Sequence, residues 1–366
     1  MFLLRKEGVD DLTLMTTISN TEISNQLKTR LNRNLIYTNI GEVLISVNPF
    51  KRLPIYGEEM VKLYSSSTMY DTPPHIYQLA ETTYRRMVNE KESQAVIISG
   101  ESGAGKTEAA KLILNYISAV SGNSGNTQYI KSCIEKTNPL LESFGNAKTV
   151  RNDNSSRFGK YLEITFNQNG IVVFFNTAGE PSSGSTIKFL LEKTRVAFQV
   201  PTLVPTHQAK GERGFHIFYQ LVAGATQPMQ EQFGMDGGPG QFFYLSQSGV
   251  NTIAGVDDRQ DFQEVCDAMG VIGIQQDDQW YIFQVLAAIL HLGNMQFKGD
   301  PKASITNKDE LAWASYLLEM DQNQLEHSIV NRLITTGRKS MYEVPQNADQ
   351  AGAMRDALAK ELYERV

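Results

Sequence analysis

The sequence predicts an α/β fold, and three local patterns carry that prediction. Short apolar runs of the buried-strand type occur at 43–47, VLISV, and 95–98, AVII. Helical spacing follows at 107–120, with apolar side chains at Leu112, Ile113, Tyr116, Ile117 and Val120, and Gly122 able to end the helix. Between the second strand and this helix lies "GESGAGKT", a glycine-rich turn at 100–107.

The remaining elements are justified in chain order. KYLEITF at 160–166 alternates roughly like a strand. The Gly/Gln/Pro-rich stretch 225–241 reads as a surface loop. Segments 257–269, 277–292 and 350–365 read as helices. WYIFQVLAAILHLGN from Trp280 is the most apolar region, but it is short for a bilayer and carries Gln284 and His291, so it reads as a buried core helix. No internal repeat is visible.

Composition bounds the function. At 366 residues, with 41% hydrophobic and 20% charged residues, the chain reads as soluble and globular, one large or two ordinary domains. A net charge of −6 argues against a nucleic-acid surface. Cys133 and Cys266 are the two cysteines, too few for a disulfide framework or Cys-rich metal site, as in a reducing cytoplasm. MFLLRKEGVDDL lacks the order of a secretory signal.

Gly100, Gly105, Lys106 and Thr107 fill the pattern GxxxxGKT. Such a loop turns backbone N–H groups around phosphate oxygens, and the helix start adds a partial positive charge. Lysine in this position reaches the terminal phosphates, and the threonine hydroxyl can ligate Mg²⁺. The chemistry is that of a P-loop holding a nucleotide phosphate and Mg²⁺, and the loop alone does not say which nucleotide. A second cluster, NAKTVRNDNSSRFGKY at 146–161, packs Asn, Ser and Arg before a strand. It can supply a second Mg²⁺ hydroxyl and a γ-phosphate sensor; taken alone it is equally an Asn/Ser-rich turn. A third, NPFKRLPIY at 48–56, taken alone reads as a rigid loop.

Together, in this order, the three clusters resemble the N-terminal half of a myosin motor domain. LLEKTRV, ERGFHIFYQL, ILHLGN and RDALAK are further signatures of that family, and GEVLISVNPFK, NPLLESFGNAKTVRN and FHIFYQLVAGA resemble class I. The resemblance implies a mixed central sheet with flanking helices. It divides the chain into an upstream and P-loop region, 1–122, and a switch I and upper actin-binding region, 123–366. It also implies roles. Asn48, Pro49, Arg52 and Tyr56 hold the adenine side. Gly100, Glu101, Ser102, Gly103, Ala104, Gly105, Lys106 and Thr107 wrap the phosphates. Thr107 and Ser156 complete the Mg²⁺ shell. Asn152 touches phosphate oxygens, Ser155 sits beside the attacking water, and Arg157 bridges to a glutamate of switch II.

The expected function is that of an ATP-dependent, actin-based motor at the cytoplasmic actin cytoskeleton, with actin filaments as partner. Calmodulin-type light chains and membrane lipids would engage only the neck and tail. The family's D-I-x-G-F-E element, relay, converter, neck and tail fall outside 1–366, so a nucleotide-binding fragment without motor activity is the alternative. Another P-loop ATPase or GTPase is disfavoured, because neither an N-K-x-D segment nor a kinase lid pattern is evident. Two stretches, about 167–185 and 197–211, depart from the family pattern. Counting sixteen positions back from Asp356 of RDALAK reaches Ser340, where kinase-activated class I members carry Ser or Thr; it follows Arg338 and Lys339 and is a candidate phosphorylation site. With strands missing, some apolar surface is expected to be exposed.

Overall fold

The computed structural model describes residues 8–67, 71–122, 138–173, 184–189, 191–197, 209–335 and 341–366. Cys133, Ser340 and the greater part of both divergent stretches lie outside the described residues. The chain divides into two compact units: Met1–Ile134 with Leu162–Thr186, and Glu135–Tyr161 with Ile187–Val366.

In the first unit, α1 (Asn20–Leu31) starts at Ser19, whose hydroxyl accepts from the Glu22 N–H at 3.1 Å. Strands β1 (Tyr37–Ile40) and β2 (Val43–Ser46) form an antiparallel hairpin in the register Tyr37↔Ser46. Helices α2 (Glu58–Ser66), α3 (Ile76–Glu90) and α4 (Lys106–Val120) pack on one another and share a core with Tyr37 of the hairpin. The predicted stripe of α4 is the buried one: Ile113, Tyr116 and Ile117 enter the core with Tyr64, Tyr77 and Ala80. A buried phenol must keep a hydrogen-bond partner or lose about 1–3 kcal/mol. Tyr116 meets this by donating to Glu81 Oε2 of α3 at 2.9 Å, and Glu81 also pairs with Arg85.

The second unit holds the larger core. Its helices include α5 (His216–Gly224), α6 (Gln227–Phe233), α7 (Phe243–Ser246), α8 (Asp258–Val271), α9 (Gln276–Asn294), α10 (Lys308–Leu317), α11 (Gln322–Val330) and α12 (Ala348–Arg365). From His216 to Val222 every residue of α5 is buried, so the HIFYQL part of ERGFHIFYQL is a core helix. At its start Arg213 is fully buried, donates to both Asp258 oxygens at 2.9 and 2.8 Å, and lies 3.8 Å over the Tyr219 ring. LGN and RDALAK also meet inside: Arg355 donates to the carbonyls of Gly293 and Met295 at 3.1 and 2.8 Å, and Tyr244 to Asp356 at 2.5 Å. α12 begins with a capping box between Asn347 and Gln350.

Several expectations need correction. Residues 95–98 are not a strand: nothing among the described residues pairs with them, and Ile97 is 90% exposed. An apolar run becomes a strand only where a partner satisfies its backbone. The 43–47 run does form a strand, but not a fully buried one; Val43 is exposed. KYLEITF breaks at Ile164 into Gly159–Glu163 and Thr165–Phe166. The described strands pair only two by two, so the content is mixed α and β without a large central sheet. The 225–241 stretch is not a loop throughout. It contains α6, with Pro228 in the first turn, where proline is tolerated, and Gly234 left-handed at the end (φ 64°). Met229 and Phe233, one turn apart, bury its inner face. The expected apolar exposure is present at Ile97 and Phe50, and at Leu333 and Tyr342 in the antiparallel strands Asn331–Thr335 and Met341–Pro345. No helix among the described residues is long and apolar enough to cross a membrane.

Candidate nucleotide site

The phosphate loop is shaped by two left-handed glycines, Gly103 (φ 81°) and Gly105 (φ 94°), the latter serving as N-cap of α4. A side chain in either conformation would be strained, and the space in front of both is open. At Gly100 a Cβ would stand 3.1 Å from that of Ala104. The Ala104 N–H closes the turn onto the Glu101 carbonyl at 3.1 Å. No side chain caps the start of α4, so its first N–H groups point to where an anion fits. Lys106 folds back and donates to the carbonyls of Gly100 and Glu101 at 2.7 and 2.9 Å. An ammonium has three donors, so one remains for an oxygen in the loop mouth. Thr107 is exposed beside it. These features fit a polyphosphate.

The segment 48–56 lies in the same unit. Asn48 donates its amide N–H to the Gly103 carbonyl at 2.8 Å. Tyr56 is half-buried; its hydroxyl is 2.8 Å from that of Tyr37, and its carbonyl accepts from the Tyr77 hydroxyl at 2.9 Å. Burial raises the Tyr56 pKa, so it stays a neutral donor. Pro49 is half-buried and Arg52 exposed. Behind them lies a cluster that sequence reading missed. His75 stacks on Tyr64 at 4.9 Å and caps α3, its Nδ1 accepting from the Tyr77 N–H at 3.1 Å. Burial lowers its pKa to about 4. The signal available in sequence was the density of tyrosines at 56, 64 and 77 around one histidine.

In the second unit, Asn152 belongs to a tight turn: its Oδ1 accepts from the Asn154 N–H at 3.0 Å, and the Thr149 N–H donates to the Asn152 carbonyl at 2.8 Å. Strand β3 (Asn146–Ala147) pairs with β4 (Ser155–Ser156), which buries Ser155 and leaves Ser156 exposed. His216 approaches Asn154 Oδ1 at 3.2 Å. Its pKa falls to about 3, first through burial, then through the charge of Arg213, partly offset by Asp153.

Arg157 donates to Ser155 Oγ at 3.2 Å and pairs with Glu192. A charge ladder continues: Glu192 to Arg195 at 3.3 Å, and Arg195 to Glu212 at 2.6 Å. Glu192 is thus a partner of Arg157 that sequence reading did not single out, although it sits in LLEKTRV. Lys106, Thr107, Asn48 and Tyr56 lie in the first unit; Asn152, Ser155, Ser156 and Arg157 lie in the second. Among the described residues no cluster of His, Cys, Asp and Glu suited to a metal occurs.

Comparison with known proteins follows the same line. The chain is 46% identical over 370 residues to the myosin IB heavy chain of Dictyostelium discoideum, covering 99% of this chain and 32% of that one. It is 48% identical over 376 residues to the myosin IC heavy chain of the same organism, covering 99% and 30%. It is 47% identical over 363 residues to Myosin-1 of Coccidioides immitis (strain RS), covering 97% and 28%. The chain therefore spans about a third of the length of the curated relatives it matches. The family described as myosin head (motor domain) matches residues 9–366, and the chain belongs to it.

Proposed function

We propose that this chain is the nucleotide-holding and upper actin-binding part of an ATP-dependent, actin-based motor of the class I type, acting in the cytoplasm at the actin cytoskeleton. The observation that carries this reading is the uncapped start of α4 behind two left-handed glycines, with Lys106 folded over the loop. Gly100 to Thr107, including Glu101, Ser102 and Ala104, wrap the phosphates of ATP. Lys106 meets the terminal phosphates. Thr107 and Ser156 are the hydroxyls for Mg²⁺, which would neutralise phosphate charge when bound. Asn152 and Ser155 serve the γ-phosphate and the attacking water, with Arg157 setting Ser155. Asn48, Pro49, Arg52 and Tyr56 form the base side.

The test separates motor from fragment. Residues 1–366 are expected to bind Mg·ATP but to show no actin-activated ATPase, because positioned water and preorganised charge require groups on every side of the γ-phosphate. A chain extended through the family's third nucleotide element is expected to recover that activity and to lose it again on Arg157→Ala. Actin-stimulated phosphate release by 1–366 alone would contradict the fragment half of this proposal. Ser340 is the proposed regulatory site. In the extended chain Ser340→Glu should give high actin-activated ATPase and Ser340→Ala low, with equal rates without actin; identical rates for both would remove the regulatory role.

A further inference from the structure

Asn48, in the base-side segment, reaches the phosphate loop through a hydrogen bond of its side chain, and both ends of its amide are engaged. Its Nδ2 donates to the Gly103 carbonyl at 2.8 Å. Its Oδ1 accepts from the Phe50 N–H at 2.8 Å. The orientation of the amide follows from its partners, because a backbone carbonyl can only accept and a backbone N–H can only donate. Phe50, 85% exposed, sits at φ 50°, a conformation uncommon for a bulky residue. The Asn48 cap is therefore what this turn is wound around.

The consequence lies across the gap. The Gly103–Ala104 peptide is planar, so its oxygen and its N–H move together. Asn48 holds the oxygen, and the Glu101 carbonyl holds the N–H at 3.1 Å. That peptide is flanked by the two left-handed glycines, the positions of the loop with most backbone freedom. We infer that Asn48 is a positioning residue for the phosphate loop, and that its contribution to ligand affinity is read through the phosphates and not through the base. The inference rests on the nucleotide-binding reading and revises one role within it.

The test uses the whole chain and three probes: Mg·ATP, Mg·ITP (inosine triphosphate) and magnesium tripolyphosphate. Asn48→Ala removes the strut without adding charge. Asn48→Ser keeps a short side-chain cap for the Phe50 N–H but cannot span to Gly103, so it decides the question should the alanine variant misfold. Each variant is expected to weaken all three probes by the same factor, about tenfold, the worth of one hydrogen bond to an ordered loop. The ratio of ATP to ITP affinity should stay at the wild-type value. Weakening confined to ATP would show that Asn48 reads the base and overturn the inference, as would wild-type affinity for all three probes. If the wild-type chain binds none of them, the nucleotide-binding reading fails first and this inference fails with it.

Discussion

Lys106 shows how far single residues can be read. Its ammonium rests on two loop carbonyls, so truncation removes a charge and two contacts that brace the loop, while the backbone N–H groups remain. A charge-assisted contact is worth roughly 1.5–3 kcal/mol. Lys106→Ala should therefore lower Mg·ATP affinity about ten- to a hundredfold by calorimetry; equal affinities would remove the lysine from the phosphate site. The motif was legible because its spacing is local: glycines, lysine and threonine within eight positions, before a helical stripe. Partners far along the chain were not legible. Gly103 is 55 positions from Asn48, and Glu192 is 35 from Arg157. Nothing in either local pattern names the other member, because folding alone makes them neighbours. The same holds for Tyr37 and Tyr56, whose shared hydroxyl contact comes from the hairpin lying against the 48–56 segment.

Among elements, helices were the most readable. α4, α8, α9 and α12 fall within a few residues of their expected ranges, because a buried stripe repeats along its own sequence. Strands were less readable. The run at 95–98 is apolar enough, but pairing is decided elsewhere in the chain. α6 was hidden by composition, its Gly and Pro marking helix ends inside an apparent loop. One tight contact tests element packing. Gly293 lies in α9, where a Cβ would stand 2.7 Å from Cδ2 of Tyr244 and 2.9 Å from its Cγ. That ring cannot swing away, because it is buried and its hydroxyl is tied to Asp356. Alanine would favour the helix by about 1 kcal/mol over glycine. Overpacking typically costs about 1–3 kcal/mol, and here it strikes a whole ring face. The clash should win: Gly293→Ala should be destabilising in urea unfolding. The double variant Gly293→Ala, Tyr244→Leu should recover part of the loss. A more stable Gly293→Ala would mean that the LGN–RDALAK contact is loose.

At the scale of the whole molecule, each unit carries a buried histidine whose proton affinity is depressed: His75 to about 4 and His216 to about 3. An unfolded histidine titrates near 6.5. Below that value the unfolded state binds the proton and the folded state resists it, so stability rises with pH through this window. The contribution is complete above about pH 6.5 and is lost as pH falls toward the folded values. At pH 5 the unfolded imidazole is protonated while both folded values still lie below the pH, so each histidine should cost about 2 kcal/mol relative to pH 7. That is a sizeable share of a domain stability of about 5–15 kcal/mol. Asp261 works in the opposite sense, since burial and the neighbouring Asp258 raise its pKa. Substitutions that keep the hydrogen bonds isolate the effect. His75→Asn retains an acceptor for the Tyr77 N–H, and asparagine is a favoured helix cap. His216→Gln retains a donor toward Asn154. Wild-type melting temperature should fall between pH 7 and pH 5, and each variant should show a smaller fall, the double variant the smallest. An equal fall in wild type and double variant would show that these two histidines do not govern the acid side of the stability curve.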